Sequence, residues 1–147
     1  MPLPKVVFFD LGDTLVVPRL DAGGSLTALV PFPFVSEILA RMKMEARLGV
    51  ISNTPAGATV VSISALLSGA GILVHFDPPL LLFSSVEGMD KTQKALFSLA
   101  AARAATPVQR CIFVGESDAE RGVARSAGMN TAFHPLHAFE VLRKLTS

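Results

Sequence analysis

An apolar run, Val6 to Phe9, ends abruptly in Asp10-Leu11-Gly12-Asp13-Thr14. The run is continuous rather than alternating, so it reads as a short buried strand. Asp10 then stands at the C-terminal end of that strand, the edge of an open α/β sheet at which ligands bind. A carboxylate there can act as a nucleophile, a metal ligand or both. It can also simply cap a turn or a helix. Three more polar clusters follow apolar runs: Ser52-Asn53-Thr54 after Leu48–Ile51, Ser84 to Lys91 after Leu80–Phe83, and Gly115-Glu116 after Cys111–Val114.

The elements that must position these groups are legible as a series. Thr14–Leu20 and Ser25–Val30 flank Asp21-Ala22-Gly23-Gly24 and predict a β-hairpin. Phe34, Val35, Ile38, Leu39 and Met42 fall at helical spacing, so a helix is expected over 34–44. Pro55 suits the first turn of a helix with Val60, Ile63 and Leu67 on one face, stopped by Gly69 and Gly71. A helix is expected over 91–103 with Ala95, Leu96 and Leu99 inward. Another is expected over 118–127 and closed by Gly128. Thr131–Phe133 reads as a short strand and 136–145 as a last helix. Strands alternating with helices imply a parallel sheet covered on both faces. All strands of such a sheet share one C-terminal edge, so Asp10, Ser52, Lys91 and Glu116 should converge there.

Read together, these clusters resemble the four motifs of the haloacid dehalogenase (HAD) superfamily. The first motif is an apolar strand followed by Asp-x-Asp-x-Thr. Asp10 and Thr14 match it, whereas Gly12 replaces the second aspartate and Asp13 stands one place late. Gly49-Val50-Ile51-Ser52-Asn53-Thr54 is similar to the second motif, and Lys91 to the lysine of the third, with Thr92 where proline is common. In the fourth, Glu116 and Glu120 replace two aspartates, and Ala124-Arg125-Ser126-Ala127-Gly128-Met129 continues as family members do.

The resemblance implies a three-layer α/β/α Rossmann-like fold spanning residues 1–147 as one domain, with a hairpin flap over about 15–33 and no cap. It implies a Mg²⁺-dependent phosphatase in which Asp10 attacks phosphorus and forms an aspartyl-phosphate. Ser52, Asn53 and Lys91 would bind the phosphate, aided by backbone N–H groups at a helix N-terminus beyond Ser52. Asp10, the Gly12 carbonyl, Glu116 and Glu120 would hold or support the metal. Gly12 cannot supply the proton that the second aspartate gives the leaving group, so the enzyme should be slow unless Asp13 stands in. A non-catalytic phospho-ligand-binding or interaction protein is the alternative, and a dehalogenase a third reading. A response-regulator receiver also has an Asp/Lys/Thr site, but its aspartate lies on a middle strand, which does not suit the order here. Capless members leave the site open to large substrates or close it with another subunit, so the expected partner is a phosphorylated small molecule or macromolecule, with homo-oligomers allowed.

Bulk properties are consistent with a folded enzyme or binding domain. The chain has 147 residues, 50% hydrophobic and 17% charged, enough for a sizeable core. Net charge is +1 with no basic stripe, so nucleic acid is not an expected partner. The single cysteine, Cys111, excludes a disulfide framework and suits a reducing, cytoplasmic setting. The first apolar run stops at Asp10, so no signal peptide is expected. The stretch 72–83 is broken by His75, Asp77, Pro78 and Pro79, so no membrane span is expected either. His75, His134 and His137 match no motif and read as structural or surface residues.

Overall fold

The computed structural model describes residues 4–145. In chain order the strands are β1 (Val6–Phe9), β2 (Val16–Leu20), β3 (Leu26–Pro31), β4 (Arg47–Ser52), β5 (Leu81–Phe83), β6 (Cys111–Val114) and β7 (Asn130–Ala132). The helices are α1 (Val35–Met42), α2 (Val60–Gly69), α3 (Ser84–Glu87), α4 (Lys94–Arg103), α5 (Asp118–Ser126) and α6 (Pro135–Lys144). Five strands form a parallel sheet of order β5-β4-β1-β6-β7, with β1 in the middle.

The alternation of side chains along β1 divides the core into two layers. Val7 and Phe9 join Leu48, Val50 and Val114 against Leu39, Met42, Ile63, Leu67 and Leu142 of α1, α2 and α6. Val6 and Phe8 join Ile51 and Phe113 against Leu96, Phe97, Ala100 and Ala124 of α4 and α5. This is the three-layer α/β/α arrangement expected from the sequence. Gly49 serves the close approach of β4 to its neighbours: a Cβ there would lie 2.6 Å from the Leu80 carbonyl oxygen. No helix among the described residues is long and apolar enough to cross a membrane.

Between β1 and α1 the described chain forms a two-stranded antiparallel hairpin and no helix. Its turn is held by Asp21 Oδ1, which accepts from the N–H groups of Gly23 and Ser25 at 2.9 Å. Gly24 sits at φ 82°, a value glycine adopts without strain. Register breaks once, between Arg19 and Leu20: Pro18 pairs with Leu29 and Arg19 with Ala28, but Leu20 with Leu26. Thr27 is left as the extra residue of a bulge, and its hydroxyl donates to the Arg19 carbonyl at 3.2 Å.

Several expected boundaries move. Pro55 does not open α2. Residues 53–58 form a loop, and the helix begins at Val60 behind a capping box of Thr59 and Ser62. The loop is fastened to α3 instead: Thr54 N–H donates to Ser84 Oγ at 2.8 Å, and Ser85 Oγ donates to the Ala58 carbonyl at 2.7 Å. Val60, expected inward, is exposed, while Ile63 and Leu67 are buried.

Lys91 precedes α4 rather than lying in it, because Asp90 takes the N–H and hydroxyl of Thr92 and holds a turn there. The buried face of α4 is Leu96, Phe97, Ala100 and Ala101, with Ala95 exposed and Leu99 half-buried. Phe97 sets that face by packing edge-on against Phe113, with centroids 5.1 Å apart. The short α3 is an added element. Glu87 at its end takes both terminal nitrogens of Arg103 at 2.9 and 2.8 Å, joining it to α4.

Candidate active site

Asp10 follows the last residue of β1, and its N–H still donates to the Val114 carbonyl of β6 at 2.9 Å. That bond holds the aspartate at the sheet's C-terminal edge. Its side chain is buried, and Lys91 Nζ donates to Oδ1 at 2.6 Å. Thr14 Oγ1 donates to Oδ2 at 3.4 Å, a long contact, and itself accepts from the Glu116 N–H at 3.2 Å. Thr14 thus ties the loop after β1 to the loop after β6. Gly115 leaves room for the Phe113 ring beneath it: a Cβ there would lie 2.8 Å from that ring, while Asp10 Cβ, at 3.6 Å, would be in ordinary contact.

Lys91 is also buried, with Nζ 6.0 Å from the centroid of the Phe113 ring. It has a second carboxylate partner, Glu120 Oε1 at 2.8 Å, an ion pair without hydrogen-bond alignment. Its backbone N–H donates to Asn53 Oδ1 at 3.0 Å. Glu120 is placed by α5, whose N-cap Ser117 accepts its N–H at 3.3 Å. Arg121 donates to the Gly115 carbonyl at 2.7 Å and so braces the loop that carries Glu116.

Burial is the largest influence on the Asp10 carboxyl and pushes its pKa up. The Lys91 charge and hydrogen bond pull it down, the Glu120 charge pushes it up, and the net direction is upward.

These groups form one wall of a cavity of about 400 Å³. Its polar side is Asp10, Ser52, Asn53, Lys91, Glu116 and Glu120, so the four residues expected to converge do line one space. The other side is apolar: Leu11, Ile63 and Pro55, with Pro18, Leu20, Leu26 and Leu29 of the hairpin. The sequence reading missed this second wall, because it depends on the bulge that aligns the two hairpin strands.

Other expected residues fall differently. Asp13 is exposed, sits at φ 62° and is not among the lining residues, so the structure does not place it as a replacement acid. Gly12 does line the cavity. Asn53, expected to bind phosphate, uses its Oδ1 to hold the Lys91 backbone. No helix N-terminus follows Ser52 directly, since α2 starts at Val60; the expected anion-binding N–H groups of that helix are not beside Ser52. Ser52 and Thr54 do not cap α2 either, since Thr59 does. His75 bonds Ser36, His134 caps α6 and His137 accepts from Phe133 N–H; none lines the cavity.

Among the described residues no three His, Cys, Asp or Glu side chains gather as a metal site. Glu120, expected at the metal, is committed to Lys91. Mg²⁺, however, is commonly held by one or two carboxylates with waters and substrate phosphate. Asp10 and Glu116 both line the cavity, and the contact of Asp10 Oδ2 with Thr14 is long, at 3.4 Å. The lining carries three carboxylates against one ammonium, an excess of negative charge that a divalent cation offsets. The donor set fits Mg²⁺ through Asp10 and Glu116.

No family model and no curated protein matches the sequence. Solved structures do match the fold. An uncharacterized protein from Listeria monocytogenes serotype 4b is similar at 20% identity and TM-score 0.75, over 96% of this chain and 99% of that one. A HAD-superfamily hydrolase of subfamily IA from Geobacter sulfurreducens is similar at 14% identity and TM-score 0.72, over 94% and 99%. A dehalogenase is similar at 14% identity and TM-score 0.70, over 88% and 83%. The parallel five-stranded sheet, the hairpin after its central strand and these likenesses together show that the chain has the fold of the haloacid dehalogenase superfamily.

Proposed function

We propose that the protein is a Mg²⁺-dependent phosphomonoester hydrolase that works through an aspartyl-phosphate on Asp10. The observation that carries this reading is the buried Asp10–Lys91 contact of 2.6 Å in a cavity also lined by Ser52 and Glu116. Asp10 and Glu116 would hold the ion, with the Gly12 carbonyl beside them, and bound Mg²⁺ supplies charge neutralisation to the phosphoryl oxygens.

Asp10 attacks phosphorus in line; an Asp10 oxygen–phosphorus bond forms as the ester bond breaks, and its electron pair leaves on the departing oxygen. The Lys91 ammonium offsets the charge spread over the equatorial oxygens. The Ser52 hydroxyl, which donates to the Asn53 carbonyl at 3.3 Å, is close enough to the lining to turn toward a phosphoryl oxygen instead. Water then attacks the phosphorus, the bond to Asp10 breaks, phosphate leaves and the Asp10 carboxylate is restored. No carboxyl stands at Gly12 to protonate the leaving group, so the first step depends on the leaving group's own acidity. A reducing cytoplasmic setting fits the single, buried Cys111.

The test is hydrolysis of p-nitrophenyl phosphate with Mg²⁺, with a chelator, and by Asp10→Asn. Turnover that needs both the metal and Asp10 supports the reading. Phosphate binding with no turnover supports a non-catalytic phospho-ligand-binding protein, the reading that the loss of an acid at Gly12 favours. Halide release from a 2-haloacid would instead support a dehalogenase.

A further inference from the structure

Resting on the phosphatase reading, we infer that the substrate is a phosphate carried on an apolar body whose leaving oxygen is already acidic, such as an aryl phosphate. Two independent observations meet in this assignment, one on the hairpin and one at Gly12.

The first is the face that the hairpin turns toward the reacting groups. Pro18 pairs with Leu29 and Leu20 with Leu26, and all four line the cavity. In a regular antiparallel ladder, Leu26 and Leu29 would lie on opposite faces of β3, because their separation is odd. The bulge at Thr27 brings them to one face. The result is a continuous apolar panel facing Asp10 and Lys91. Arg19, the cation of the hairpin, is not in the lining. Leu20 is 60% exposed although it lines a cavity, so its apolar surface is left for a ligand to cover. A sugar phosphate or a phosphorylated acidic peptide would desolvate its polar groups against this panel without partners.

The second observation is the missing proton donor. Gly12 lines the cavity without a side chain, and Asp13 is exposed and outside it. In the transfer step the phosphorus–oxygen bond of the substrate breaks, the bond to Asp10 forms and the electron pair leaves on the substrate oxygen. A phenolic or enolic oxygen holds that pair without a proton, whereas an alkoxide does not. Apolar shape and leaving-group acidity are thus selected together.

The experiment is kcat/KM on four phosphates that separate the two properties: 1-naphthyl phosphate (apolar, acidic leaving group), acetyl phosphate (polar, acidic), octyl phosphate (apolar, not acidic) and glycerol 2-phosphate (neither). The expected order has 1-naphthyl phosphate first and glycerol 2-phosphate last. In the Leu20→Ser/Leu26→Ser variant, the ratio of 1-naphthyl to acetyl phosphate should fall about 10–200-fold, the range for a lost apolar contact. Met44→Gln, on a residue 86% exposed and outside the lining, should leave the ratio unchanged. An unchanged ratio in the double variant overturns the apolar panel. Octyl phosphate cleaved as fast as 1-naphthyl phosphate overturns the leaving-group requirement. If acetyl phosphate turns over with Asp10 dependence but without preference for an apolar body, the inference fails and the phosphatase reading stands. If no phosphate turns over, both fail. Circular dichroism and melting of the double variant confirm that it is folded before the rates are compared.

Discussion

Glu120 Oε1 stands 2.8 Å from Lys91 Nζ, and the same nitrogen lies 2.6 Å from Asp10 Oδ1. One ammonium therefore serves two carboxylates, and Glu120 fixes the cation that faces the reacting aspartate. Glu120→Gln keeps the shape and removes the charge. With its second carboxylate neutralised, Lys91 is held less firmly against Asp10, and kcat/KM on p-nitrophenyl phosphate should fall. A change within twofold would mean that Lys91 is held without Glu120.

Asp10→Asn should abolish turnover and yet not weaken the fold. Burial raises the Asp10 pKa, so the folded state binds that proton more tightly than the unfolded chain. The stability linked to this proton is present below the unfolded value near 3.8 and is lost as pH rises through the folded pKa. At pH 7 the ionised carboxylate therefore costs stability, and Asp10→Asn removes that cost while Lys91 keeps Glu120. In metal-free thermal melts the variant should have a Tm at or above the parent at pH 7, with the gap closing in acid. A markedly lower Tm at pH 7 would show that the Lys91 pair outweighs burial.

Gly12→Asp is sterically allowed. A Cβ at Gly12 meets only the Pro18 ring, at 3.6 and 4.0 Å, which is ordinary contact. Rates on alkyl phosphates should rise by up to about 10²–10⁴-fold, the usual contribution of a general acid, and less on p-nitrophenyl phosphate. Asp13→Gly is the companion. Glycine accepts the φ of 62° that Asp13 holds, so the fold should be intact and the rates unaltered. A large loss there would mean that Asp13 reaches the substrate after all.

Cys111 should be silent toward thiol reagents in the native protein. Burial pushes its thiol pKa up to about 11, so little thiolate exists at pH 8. Iodoacetamide labelling followed by mass spectrometry should show no adduct until denaturant is added. Labelling of the folded protein at pH 8 would reveal an opening that frees β6.

Much of the fold was legible because the strands are short apolar runs that end in polar residues. β1 and β6 have the bounds that their sequence implies, and Asp10, Ser52, Lys91 and Glu116 follow their strands to one cavity. Boundaries failed where a side chain made a bond that no periodicity records. Thr59 and Ser62 moved the start of α2, and Asp90 held Thr92 in a turn before α4. Asn53 and Glu120 carry the chemical groups the resemblance requires, but their partner in each case is Lys91, 38 and 29 residues away in the chain. The apolar panel was hidden for a similar reason. Leu20 and Leu26 become neighbours only through a bulge, and nothing in the spacing of single apolar residues announces one.

The outer strands of the main sheet, β5 and β7, are three residues each, against four to six for the strands between them. A border that short offers a neighbouring molecule few unpaired N–H and C=O groups to copy. Sheets that expose long, flat, apolar borders are the ones that recruit further chains and grow into fibres. In this protein the strongly apolar middle strands of the main sheet lie between those short flanks, so that sheet presents little open template for cross-β assembly.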